Sequence, residues 1–167
     1  MVTIVLKFKY KNAEKKLGKK CEIVLRSIPD WFGLEDSLLR YVKEIDNLDT
    51  YTAWFENELI GFISVKYHNE YSAELFVLGI KLSYHRKGIG TKLYSMIEQA
   101  LKEKNIKYIQ VKTLSSKAND MNYEKTRLFY LSLGFLPLEE FHELWTKDNP
   151  CLQMIKSIEH HATFRLS

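Results

Sequence analysis

The stretch from Glu74 to Tyr94, ELFVLGIKLSYHRKGIGTKLY, does most to constrain what this chain can become. It opens with β-branched and aromatic residues that read as a buried strand. A polar segment, Ser83-Tyr84-His85-Arg86-Lys87, then leads into Gly88-Ile89-Gly90. Beyond the glycines, Ile89, Leu93, Met96, Ile97, Ala100 and Leu101 fall at i, i+4, i+7, i+8, i+11 and i+12, one stripe of a 3.6-residue period. The spacing predicts a helix over about Gly88 to Lys104, with Asn105 suited to end it.

A strand that passes through glycines into a helix start makes an anion site. The first backbone N–H groups of a helix lack intrahelical partners, and the helix dipole places partial positive charge there. Glycines at 88 and 90 remove the Cβ atoms that would hold a phosphate away, and Arg86 and Lys87 add charge beside them. The competing reading is a tight strand-to-helix connection and nothing more. Two nucleotide signatures fail on spacing. A Walker loop needs Lys directly after its second glycine, whereas Gly90 is followed by Thr91; a dinucleotide fingerprint needs a third glycine where Leu93 stands.

At 167 residues and 46% apolar content the chain is long enough for one globular domain with its own core. No apolar run approaches the ~20 residues of a membrane span. Val2 to Leu6 is too short for a signal-peptide core and is followed by lysines, so the expectation is a soluble, cytoplasmic protein without a membrane partner. Cys21 and Cys151 lie far apart with no metal-ligand spacing, which predicts buried thiols and no bound metal. The charge surplus of +4 sits in the leader: residues 1–20 hold seven lysines against Glu14, and the remainder is slightly acidic. A basic leader without a basic face argues against nucleic acid as the partner.

Along the chain, residues 2–10 read as a strand, Lys11 to Lys20 as a loop, and Glu22 to Ile28 as a second strand closed by Pro29. A helix follows through Leu34, Leu38, Leu39, Val42 and Ile45. Tyr51–Phe55, Leu59–Tyr67 and Ala73–Lys81 form an antiparallel meander into the glycine loop. Ile106–Thr113 reads as a strand parallel to the one before the loop, since a helix intervenes. A loop over Leu114–Met121, a helix over about Asn122–Leu133 closed by Gly134, and strands at Phe135–Phe141 and Cys151–Ile158 complete the pattern. The tail from His160 to Ser167 has no clear pattern.

His85-Arg86-Lys87-Gly88-Ile89-Gly90 resembles [R/Q]-x-x-G-x-[G/A], the pyrophosphate loop of the GNAT N-acetyltransferases, with His85 where Arg or Gln is usual. A second segment, Tyr123 to Phe135, is similar to the family's N-x-x-A-x-x-[LF]-Y-x-x-x-G-F helix. Its Phe129-Tyr130-x-x-x-Gly134-Phe135 end matches residue for residue, whereas Tyr123 and Thr126 depart at the start. The resemblance covers about residues 21–158, with 1–20 as a leader and 159–167 as a tail to a single domain. It implies an α/β fold of the α+β type, with a mixed, mostly antiparallel sheet of six to seven strands flanked by helices on both faces.

The resemblance also implies acetyl-CoA as cosubstrate and direct acetyl transfer to an amine, with no acyl-enzyme. The pyrophosphate would lie on His85 to Thr91, through Arg86, Lys87, Gly88, Ile89 and Gly90. The pantetheine arm and the oxyanion would meet backbone groups of Leu78, Gly79 and Ile80. Counting eleven residues back from the loop places the family's glutamate base at Glu74. A carboxylate among apolar neighbours can serve as a base near neutral pH; the alternative is a strand glutamate in solvent or paired with lysine. Glu70 and His68 are lesser candidates. Tyr130 matches the family's general acid, since a phenol of pKa ~10 can protonate a thiolate whose acid form has pKa ~8.5, or it packs in the core. Trp31, Phe32 and Trp145 are candidate acceptor walls, or pack in the core. Glu35, Asp36, Glu139, Glu140 and Glu143 could draw in a cationic amine or form a solvated face. The expected acceptor is a small-molecule amine of a monomer or homodimer; the alternatives are a protein or peptide amine and a non-catalytic CoA sensor.

Overall fold

The computed structural model describes residues 7–158. Its elements run β1 (Lys9–Glu14), α1 (Gly18–Arg26), α2 (Glu35–Ile45), β2 (Asp49–Phe55), β3 (Glu58–Tyr67), β4 (Ser72–Ile80), α3 (Ile89–Glu103), β5 (Tyr108–Leu114), α4 (Met121–Ser132), β6 (Leu136–Thr146) and β7 (Asn149–Ser157). Short 3-10 turns occupy Leu82–Tyr84 and Ser116–Ala118. The strands form a seven-stranded mixed sheet in the order β1-β2-β3-β4-β5-β7-β6, with β4 and β5 parallel as expected.

The chain forms two compact units, with β4 and α3 each contributing to both. The first takes in the chain up to Lys66 and Leu75–Met96. In its core, Cys21, Val24 and Leu25 of α1 meet Leu38, Val42 and Ile45 of α2 and Leu59, Phe62 and Val77 of the sheet. The two helices approach closely at Gly18. Its amide donates to Asp46 Oδ1 at 2.8 Å, and a Cβ there would lie 2.2 Å from the Val42 carbonyl oxygen.

Two expectations fail in this unit. Glu22–Ile28 is not a strand but the end of α1 and its exit, and Lys11–Lys20 is not a loop but the end of β1 and the start of α1. Buried Leu17, Cys21, Val24, Leu25 and Ile28 fall at i, i+4, i+7, i+8 and i+11, a helical stripe whose first members precede the apolar run. The expected strand over residues 2–10 lies partly outside the described residues; Lys9 and Tyr10 are in β1.

The second unit holds Tyr67–Glu74 and the chain from Ile97 onward. Here β5 pairs in parallel with the first three residues of β4, ending at Glu74↔Gln110, and along its whole length with β7, antiparallel. Asp120 caps α4 by accepting the Asn122 and Tyr123 amides at 2.9 and 3.0 Å. At the other end, Gly134 takes φ +93°. The Gly134 and Phe135 amides donate back to the carbonyls of Leu131 and Tyr130, the left-handed cap expected of a glycine there.

Candidate active site

In the first unit, β4 runs into the 3-10 turn and then the glycine loop. Arg86 and Gly88 both take left-handed backbone, at φ +56° and +76°. The first helical bond of α3 runs from the Lys92 amide to the Gly88 carbonyl at 3.0 Å. The amides of Ile89, Gly90 and Thr91 therefore precede the helical ladder and point along its axis towards the loop. A Cβ at Gly88 would meet no atom within 4 Å, so the space beside the loop at that residue is open. Arg86 and Lys87 are exposed at its rim. Donors, open space and cationic flanks fit a pyrophosphate.

One ring nitrogen of His85 is already engaged within the first unit. Its Nε2 donates to the Ile80 carbonyl at 2.7 Å, and its ring packs edge-on against Trp31 with centroids 5.8 Å apart. The imidazole ties the loop to the end of β4, where an Arg or Gln was expected to reach a ligand. Gly79 also has a packing cause. A Cβ there would crowd Val24, Phe62 and Leu25 at 3.2–3.4 Å, so glycine lets α1 lie close on the sheet. Because the β4–β5 ladder ends at Glu74, Leu75–Ile80, including Leu78, Gly79 and Ile80, have no β5 partner among the described residues.

In the second unit, Glu74 is 4% exposed, yet it does not sit among apolar neighbours alone. Lys112 Nζ donates to both carboxylate oxygens at 3.0 Å, and His68 Nε2 lies 2.6 Å from Oε2. The alternative of a lysine-paired glutamate is the one realised, with a histidine added. Lys112 escaped the sequence reading: it is 38 residues from Glu74, and only the parallel register Glu74↔Gln110 sets it on the same face of β5. The influence of the cluster reaches Cys151, whose thiol is pushed up to about 11, chiefly by burial, with Glu74 adding and Lys112 opposing.

Tyr130 is 5% exposed on α4, its ring between those of Phe129 and Phe135 at centroid distances of 5.7 and 5.9 Å. Among the acceptor candidates, Trp31 meets His85, whereas Phe32 stacks edge-on with Tyr41 and so belongs to the core margin of the first unit. Trp145 lies 39% exposed on β6 of the second unit. Two of the candidate acids are already paired. Glu35 accepts a bidentate fork from Arg26 at 2.8 and 2.9 Å, and Glu140 meets Lys117, Ser115 and His142. Hydrogen bonds from Arg26 and from Lys117 hold these two carboxyls below their usual range. Asp36, Glu139, Glu143 and Glu70 are exposed.

A family model described as the acetyltransferase (GNAT) family matches residues 22–135. No curated protein sequence matches the chain. Among solved structures, an acetyltransferase of the GNAT family from Desulfovibrio desulfuricans superposes with a TM-score of 0.78 at 11% identity, covering 92% of this chain and 100% of that one. An aminoglycoside 6′-N-acetyltransferase complexed with coenzyme A gives 0.71 at 21% identity, covering 91% and 98%. The ribosomal-protein-S18-alanine N-acetyltransferase from Escherichia coli gives 0.73 at 14% identity, covering 95% and 98%. No described helix is long and apolar enough to cross a membrane.

Proposed function

The chain belongs to the GNAT family of acetyltransferases, and from that premise we propose that it transfers acetyl from acetyl-CoA to the amine of a small molecule by direct attack. The observation that carries this reading is the glycine loop. Three amides precede the first bond of α3, and the space over Gly88 is open. Backbone donors at a helix start hold a pyrophosphate without any particular side chain, so His85 in place of Arg or Gln leaves the grip intact.

The unpaired edge of Leu78, Gly79 and Ile80 has the donors and acceptors to take pantetheine as an added strand. Its amides would stabilise the oxyanion as the amine attacks the thioester carbon. As the C–N bond forms, the C–S bond breaks, and Tyr130 gives the departing sulfur its proton. The proton released by the acceptor's ammonium is taken up at the Glu74 cluster.

A small acceptor is favoured over a basic peptide by the state of the acids. Glu35 of the first unit shares Arg26 with Glu22, and Glu140 of the second is held by Lys117 and His142, so neither carboxylate stands free for a cation of a peptide. Release of CoA thiol from acetyl-CoA, measured with aminoglycosides, polyamines, amino acids and short peptides, tests the reading. Release that depends on a small amine is expected. Release with peptides alone would move the acceptor to proteins, and silence with no CoA binding by calorimetry would overturn the cradle itself.

A further inference from the structure

We propose that His68, oriented by Glu74, is the residue that takes the proton from the acceptor's ammonium, and that Glu74 acts only through it. This rests on the acetyl-transfer reading above and changes which atom does the work. The Glu74 side chain is 5% exposed and both its oxygens are occupied, Oε1 by Lys112 and Oε2 by Lys112 and His68. Three of about four acceptor sites are taken and the side chain is buried, so an incoming ammonium meets no accessible oxygen. The His68 side chain is 32% exposed and stands at the solvent side of the same cluster.

Hydrogen-bond bookkeeping then fixes the imidazole. A carboxylate already holding a lysine ammonium is ionised and can only accept, so the 2.6 Å contact requires the proton on His68 Nε2. With Nε2–H donating to Oε2, the neutral form of the ring carries its basic lone pair on Nδ1, which has no partner among the described residues. A carboxylate that holds one imidazole nitrogen sets the tautomer and orientation of the other. Lys112, on β5, pins Glu74 on β4, and Glu74 is the charged group that meets His68 among the described residues.

The step balances simply. The acceptor R–NH3+ gives one proton to His68 Nδ1 and becomes R–NH2, and the new imidazolium stays hydrogen-bonded to the Glu74 carboxylate. The amine nitrogen then bonds to the acetyl carbon as the C–S bond breaks, Tyr130 gives the departing sulfur its proton, and the second proton shed by the acylated nitrogen restores the Tyr130 phenol. His68 afterwards releases its proton to water from its exposed side.

The test uses the full chain with the best amine found by thiol release. His68→Gln keeps an N–H donor towards Glu74 but has no titratable lone pair. It is expected to lower kcat/KM by about 10²- to 10⁴-fold, to leave CoA affinity by calorimetry unchanged, and to lose the low-pH limb of the pH–rate profile. In His68→Gly, added imidazole should restore part of the rate, which a purely structural role would not allow. Nitrogen-15 spectra of the wild-type protein should show the neutral imidazole as the tautomer with Nε2 protonated and Nδ1 bare. Turnover of His68→Gln within about threefold of wild type, or an Nδ1–H tautomer, would overturn the proposal while leaving acetyl transfer standing. A wild-type protein silent with every amine would overturn the parent reading, and this one with it.

Discussion

Substituting Gly88 separates a glycine kept for backbone geometry from one kept for a ligand. The residue takes φ +76°, and a Cβ built on it meets nothing within 4 Å. Gly88→Ala therefore causes no overlap and carries only the left-handed backbone cost, about 1–2 kcal/mol. In a domain of this size that lowers Tm by roughly 2–8 °C. The methyl would, however, fill the space assigned to phosphate oxygens. Displacing them from two of the amides at 89–91 removes two charge-assisted hydrogen bonds worth about 1.5–3 kcal/mol each. CoA affinity should then fall roughly 100-fold or more, and Gly88→Asp, with a carboxylate facing the phosphates, should abolish it. Gly134→Ala is the control. It shares the left-handed strain at φ +93° but meets only the flexible Lys156 side chain, at 3.4 Å. Calorimetric titration with CoA beside thermal melts reads both quantities. A folded Gly88→Ala protein with wild-type affinity would refute the cradle, as would an equal loss in Gly134→Ala.

Tyr130→Phe should lower kcat well beyond any rise in KM for acetyl-CoA, measured by steady-state thiol release; unaltered turnover would assign Tyr130 to packing alone. Lys112→Met strips a cation from buried Glu74 and should lower Tm. Glu74→Leu in the same chain should recover most of the loss, because breaking a buried pair costs more than replacing both members, and a double-mutant cycle of melts checks this. Burial pushes the Cys21 thiol up to about 12 and the Cys151 thiol to about 11, from an ordinary 9. Between pH 9 and 11 the unfolded chain sheds thiol protons that the folded chain keeps, so this contribution is full below pH 9 and shrinks as pH rises. Urea melts at pH 8 and 10 should show the decline, and Cys21→Ala with Cys151→Ala should flatten it.

The parts of the fold legible in the sequence are those whose signal is local and whose boundaries are marked. The α3 stripe is one: Ile89, Leu93, Ile97 and Leu101 are all nearly inaccessible. The α4 cap at Gly134 and the meander strands, with their short turns, are others. The first helix defeated the reading for a physical reason. Ile23, Val24, Leu25 and Ile28 look like a strand when the window starts at Glu22, but Ile23 is 64% exposed. The true period begins at Leu17, in a lysine-rich segment whose side chains face solvent while Leu17, Gly18 and Cys21 face α2. What decides the matter is the approach of α1 to α2 at Gly18, a contact with Val42 and Asp46 that no local pattern encodes.

The site divides along the same line. The proposed phosphate cradle, made of backbone amides, is written in consecutive residues, so its geometry follows from Gly88-Ile89-Gly90 opening a helix. The proposed proton-accepting cluster is not consecutive. Glu74 acquires its character from Lys112, brought alongside by a parallel ladder three residue pairs long, and from His68 across the β3–β4 turn. Sequence placed a carboxylate at the right register and left its state open between base and ion pair. The ladder forms the ion pair, and in the step proposed above the accessible lone pair is that of His68. The partners of Glu74 are thus set by the strand register, a property of pairing that residue order alone does not contain.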